Sequence, residues 1–165
     1  HLIIRNDTIR NSSWNAQEGV LTSWFGQLDP AVQAMVQPVA NSFTTGEVAD
    51  GAVTFSGGTR WLPNNLGGAV AADLTQVVPG ATARAFALFL ADVTRLSGPG
   101  LAFSNHAQRG SSGALLGWWW LRTPAANTSA WAVRTDGHLN GTGGRTVSYP
   151  GGGGRPALIL HQARN

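Results

Sequence analysis

A chain of 165 residues with 42% apolar residues reads as one domain, residues 1–165, with a core of its own; its 12% of charged residues is about half the usual share. All eleven cations are arginine, scattered from Arg5 to Arg164, so the net charge of +3 does not describe the concentrated basic face of a nucleic-acid binder. The absence of cysteine excludes disulfides, thiolate catalysis and thiolate metal sites, and no run of about 18 apolar residues suggests membrane insertion.

In chain order, His1 to Arg5 reads as a strand, apolar from its second residue. The chain thus opens as if inside a sheet, and the expectation is a processed product or a fragment lacking an upstream first strand. Two short helices follow. Asn15 with Glu18 has the spacing of a capping box, and Val20, Leu21, Trp24, Phe25 and Leu28 recur at helical period. Asp29-Pro30 supplies a new N-cap and a proline at the first helical position, and Val32, Met35, Val36 and Val39 form the second apolar face. The stretch from Ser42 to Gly80 is weakly patterned, with a short strand in GAVTF and turn formers in GGTRWLPNNLGG. Phe86 to Leu90 read as a buried strand, Asp92 caps a short helical turn, and SGPGLAFSNHAQRGSSG reads as loop.

The last third is aromatic and glycine-rich. GWWWLR reads as a strand, with Trp118 and Trp120 on one face and Trp119 on the other. AWAVRTDGHLN reads as a hairpin turning at Asp136-Gly137, with Trp131 and Val133 opposite in direction to Ala132 and Arg134. Thr146 to Tyr149 read as a short strand, and RPALIL as an apolar terminal one.

No GxSxG elbow and no HExxH motif occur, and His1, His106, His138 and His161 are spread along the chain. The glycines of NGTGGR and PGGGGR do not lie between a strand and a helix, as a phosphate loop requires. These features argue against an enzyme and imply no cofactor and no metal. The loops AANTSA, RTDGHLNGTGGR and SYPGGGG are polar but hardly charged, a composition shared by adaptable binding loops and by plain turns.

GWWWLRTP, AWAVRTDGHLN and GGGGRPALIL together resemble a bacterial and phage domain family with a W-W-L-R-[ST]-P…G-x-R-P-A-L signature. That family is similar to the C-type-lectin-like fold of formylglycine-generating-type proteins and of the variable proteins of diversity-generating retroelements. SSWN with LTSWFGQL, and ALFLADVTRL, agree with it upstream, so the resemblance spans roughly Asn11 to Leu160. It implies an α+β, C-type-lectin-like fold: two short N-terminal helices packed on small antiparallel sheets, with a loop-rich C-terminal half. It also implies a scaffold role for Trp119, Trp120, Leu121, Arg122, Pro124, Trp131, Val133, Gly137, Arg155, Pro156, Ala157 and Leu158, with Arg122 and Arg155 tying loops to backbone carbonyls.

Two departures narrow the implication. Calcium-dependent sugar binding uses E-P-N or Q-P-D with W-N-D, which are absent, and formylglycine-generating catalysis uses cysteines, also absent. The expected function is a non-catalytic ligand-binding or adhesion domain for a protein or glycan receptor, located extracellularly, at a cell surface or on a virion. Its expected surface comprises Asn127, Thr128, Ser129, Arg134, Asp136, His138, Asn140 and Arg145, with Tyr149 as aromatic anchor. The alternative is a structural subunit or decoration domain of a phage tail or extracellular appendage, whose loops contact copies of itself.

Overall fold

The computed structural model describes residues 1–40, 46–111, 117–142 and 146–161. Arg145 lies outside the described residues. The fold is mixed α and β, as expected at the level of class, with short helices set around three small sheets.

The central sheet grows from the tryptophan run. Strand β5 (Trp119–Ala125) pairs antiparallel with β6 (Ser129–Val133), and β6 with β7 (Leu139–Asn140). On the other side β5 meets β8 (Gly152–Gly153) in parallel, and β8 pairs with β2 (Asn11–Ser12), so the sheet is mixed rather than antiparallel throughout. The pleat divides the aromatics as the alternation predicts. Trp119, Leu121, Trp131 and Val133 enter the main core with Phe86, Leu88 and Phe103. Trp118 and Trp120 pack on the opposite face with Ala130 and Ala132, covered by Trp14 and Val147.

Glycine is required where the second face closes. A Cβ on Gly152 would come within 2.1 Å of Trp120 Nε1, so only a bare backbone passes over that indole.

A bulge interrupts the β5–β6 ladder between Trp120 and Pro124. Within it Arg122 turns its amide away from β6 to Leu88 O, at 2.8 Å, and its Nε donates to Ala87 O at 3.0 Å. Thr123 Oγ1 accepts from Leu90 N at 2.8 Å. The bulge therefore moors the segment before helix α4 (Leu90–Leu96) to the sheet. Phe86 to Leu90 are buried as expected but do not form a strand; Phe86 bridges Ala157, and the chain turns helical at Leu90 because Asp92 and Thr123 satisfy the first amides.

The terminal segment forms β9 (Ala157–Ile159), which pairs antiparallel with β1 (Leu2–Ile4). A third sheet is the small pair β3 (Phe55–Ser56) and β4 (Leu62–Pro63).

The two N-terminal helices exist, with different ends from those expected. Helix α1 (Gln17–Gly26) has Ala16 rather than Asn15 as N-cap, so Glu18 falls at the second helical position and not the third that a capping box needs; Ser13 Oγ accepts the Ala16 amide instead. Of its apolar residues only Leu21 is fully buried. Helix α2 (Pro30–Ala34) starts as expected, with Asp29 accepting from Ala31 N, but ends after one turn. Val32 and Met35 are consequently exposed, while Val36 and Val39 are buried through extended bridges to Leu160, Val77 and Ala83. The stretch read as loop holds a helix, α5 (His106–Arg109), capped by Asn105 Oδ1 on Gln108 N. After β7, the expected strand Thr146 to Tyr149 reduces to a bridge at Thr146 followed by a turn. A 3-10 turn (Asp50–Ala52) and a short helix α3 (Gly68–Ala72) lie in the stretch read as weakly patterned, where no helix is expected.

Three buried arginines hold the loops. Arg109 donates to Gly137 O, Trp61 O, Arg60 O and Ser97 Oγ, and Arg155 donates to Arg5 O and Arg109 O. Arg122 reaches Ala40 O and Thr75 Oγ1 as well as Ala87 O. Burial pushes all three guanidinium groups down to about 10, still far above neutrality, so each remains charged. A charged planar fork meeting several carbonyls at once gives each loop strong, directional anchors.

Candidate functional site

The expected binding residues occupy both ends of β6 rather than one surface. Asn127 and Thr128 form the β5–β6 turn, both with left-handed backbone at φ of 60° and 59°. Asparagine accepts that conformation readily, whereas β-branched threonine is strained in it. Ser129 begins β6 and bridges Thr146.

Arg134, Asp136 and His138 lie at the far end, in the β6–β7 turn, where Gly137 takes φ of 88° and donates to Arg134 O. Five strand residues at about 3.3 Å each separate the two ends by roughly 17 Å. Asn140 lies between them, opposite Ala132, and its Oδ1 accepts from Thr142 N and Thr142 Oγ1. Tyr149 is 39% exposed and stacks on Trp118, with ring centroids 6.1 Å apart and planes at 19°. It is an accessible aromatic, already supported on one face.

Asp136 and His138 form a pair. The carboxylate accepts from His138 N at 3.2 Å and contacts His138 Nδ1 at 2.6 Å. Burial alone would push the Asp136 carboxyl up, but the amide and ring of His138, with the charge of Arg134, hold it below its ordinary value. A depressed carboxyl contributes stability above its unfolded pKa that is lost as pH falls through the folded value. Because the side chain is 45% exposed, the contribution is small. Thermal melts at pH 7 and pH 3 should show slightly more acid sensitivity in the parent chain than in Asp136→Asn; equal sensitivity would remove the pair from the turn's stability.

Two clefts lie beside these turns. One, of about 320 Å³, is bordered by Asp50, Gly51, Asn127, Ser129, Gly141 and Thr142. Its carboxylate is already engaged: Asp50 pairs with Arg60 and accepts from Gly141 N at 2.8 Å. The other, of about 380 Å³, is bordered by Gly58, Thr59, Trp61, Ser104, Asn105 and His106. It joins the β6–β7 turn through His106 Nδ1, which is 2.8 Å from Asp136 O. None of its residues was expected from the sequence to bind. The available signal was Trp61 among turn formers, and two neighbouring non-glycine residues, Thr59 and Arg60, adopt positive φ.

Among the described residues, no group of three or more His, Asp or Glu side chains converges as a metal site, and no helix is long and apolar enough to cross a membrane. The chemistry both clefts offer is hydrogen bonding by amides, hydroxyls and imidazole, with one indole surface.

Residues 83–162, just under half of the chain, match the model of a domain of unknown function, DUF6273. The matched segment carries Arg109, Arg122, Arg155 and the β5–β6–β7 sheet, but not Trp61 or the N-terminal helices. No curated protein and no solved structure matches the chain.

Proposed function

We propose that this is a C-type-lectin-like display domain without catalytic activity, which binds a receptor at an extracellular location, a cell surface or a virion. The observation that carries this reading is the contrast between frame and turns. Trp119, Trp120 and Trp131 are wholly buried, and three buried arginines fasten loops to that frame, while the turns at both ends of β6 present polar side chains. Rigid support under adaptable polar side chains reduces the ordering cost of binding.

Paired variants test which end binds. Asn127→Gly with Thr142→Ala alters one end and keeps the left-handed turn; Arg134→Ala with His138→Ala alters the other. One pair should abolish binding to intact cells or to arrayed glycans, and both should melt within about 1 kcal/mol of the parent. Undiminished binding in both variants would reject these loops as the surface.

A specific feature favours the second reading, a subunit of a larger structure. Val32, Met35, Val77 and Val78 are exposed apolar residues, and the Val39–Val77 bridge brings their segments together. Light scattering over a concentration series separates the readings: a monomer supports display, and an open-ended assembly supports packing between copies.

A further inference from the structure

The cleft at Trp61 has a positive charge behind it. Arg109 is wholly buried, and its guanidinium carbon lies 4.5 Å from the centroid of the Trp61 ring. Its donors are engaged by Gly137 O, Trp61 O, Arg60 O and Ser97 Oγ, so its charge acts on the cleft through the indole rather than by contact. Trp61 is partly exposed and borders the cleft; with Arg109 over one face of its ring, the opposite face is the one left for a ligand to stack on.

A cation on one face of an aromatic ring draws π density toward itself and leaves the other face less negative. That outer face repels a second cation and gains little from the weakly positive C–H groups of a sugar. It favours an electron-rich ring. A second feature selects within that class. His106 Nδ1 meets the carbonyl oxygen of Asp136, which can only accept, so the neutral imidazole carries its hydrogen there and keeps a bare lone pair on Nε2. Asn105 spends its side-chain oxygen on Gln108 N, which leaves its NH₂ group as a donor.

An electron-poor indole beside a hydrogen-bond acceptor and an amide donor matches a phenol, whose ring is electron-rich and whose hydroxyl both donates and accepts. We propose that this cleft receives a tyrosine side chain displayed by a protein partner. The inference rests on the receptor-binding reading and narrows its ligand to a protein.

The test is an NMR titration of the full chain with N-acetyl-tyrosinamide, N-acetyl-phenylalaninamide and methyl glucoside, following the Trp61 indole N–H and the His106 ring. Tyrosinamide should shift both signals saturably, phenylalaninamide should bind about thirtyfold more weakly for want of two hydrogen bonds, and methyl glucoside should shift neither. Because Arg109 packs on the Trp61 ring, Trp61→Ala disturbs the fold; His106→Leu, at the cleft's rim, should weaken tyrosinamide about fivefold, for loss of one of its two hydrogen bonds, and leave phenylalaninamide unchanged. Silence with tyrosinamide, equal affinity for the two amides, or shifts caused by the glucoside would overturn the proposal. Cell binding through the loops with no response to tyrosinamide overturns this site alone. Tyrosinamide binding with no cell or glycan binding overturns the receptor reading and leaves the site.

Discussion

Trp120→Ala should cost about 3–5 kcal/mol, a large share of the roughly 5–15 kcal/mol that holds a domain together, so the variant is expected to be mostly unfolded at physiological temperature. Trp120 is fully buried, its Nε1 donates to Ser12 O at 2.9 Å, and Trp118 meets it edge-on at 4.9 Å. The deletion therefore removes three things together: the packing of the second face, a side-chain bond from β5 to β2, and the support under Trp118. Trp120→Phe separates them, since it keeps much of the ring and leaves Ser12 O without its donor, at a cost of about 1–3 kcal/mol. Urea melts followed by circular dichroism measure both. A Trp120→Ala variant that melts like the parent would show that the second face is not part of the frame.

The sheet was legible in the sequence because its strands are covered on both sides. Alternation along GWWWLR and AWAV assigns each aromatic to a face, and the pleat enforces the assignment whichever elements cover it. The same logic fails for VQAMVQPV, where helical spacing fits Val32, Met35, Val36 and Val39 although the helix stops at Ala34; Pro38 and the bridges to Leu160 and Val77 favour extended backbone there. The polar turns can be picked out one by one in the sequence, but their neighbourhood cannot. Asn127 and His138 are near in sequence, and the strand between them carries them to opposite ends. Trp61 and His106, 45 residues apart, border one cleft through long-range contacts that no local pattern encodes. Burial of arginine is similarly invisible, since Arg109 and Arg134 look alike as letters while one is wholly buried and the other exposed.

Arg122, expected from the resemblance to tie loops to backbone carbonyls, also links to a buried carboxylate that the sequence does not announce. It and Asp92 are 3% and 0% exposed, and Thr75 stands between them: Arg122 donates to Thr75 Oγ1 at 2.6 Å, and Thr75 donates through its hydroxyl and amide to Asp92 at 2.7 and 2.8 Å. Asp92 also accepts from Phe89 N at 2.9 Å, at the start of α4. The guanidinium lies 3.8 Å over the Phe89 ring, so it joins β5, the 75 segment and α4 in one network. Arg122→Met should cost about 3–5 kcal/mol, because it strands three acceptors and leaves the Asp92 charge buried without its cation. Arg122→Lys keeps a charge but loses the fork and should recover only part of that. If the loss comes mainly from the stranded charge, Asp92→Asn should cost less in the Arg122→Met background than in the parent, and a double-mutant cycle by urea melts should show a coupling of at least about 1 kcal/mol. Additive costs would mean that Thr75 and the backbone amides alone sustain Asp92, and that Arg122 serves only the carbonyls it touches.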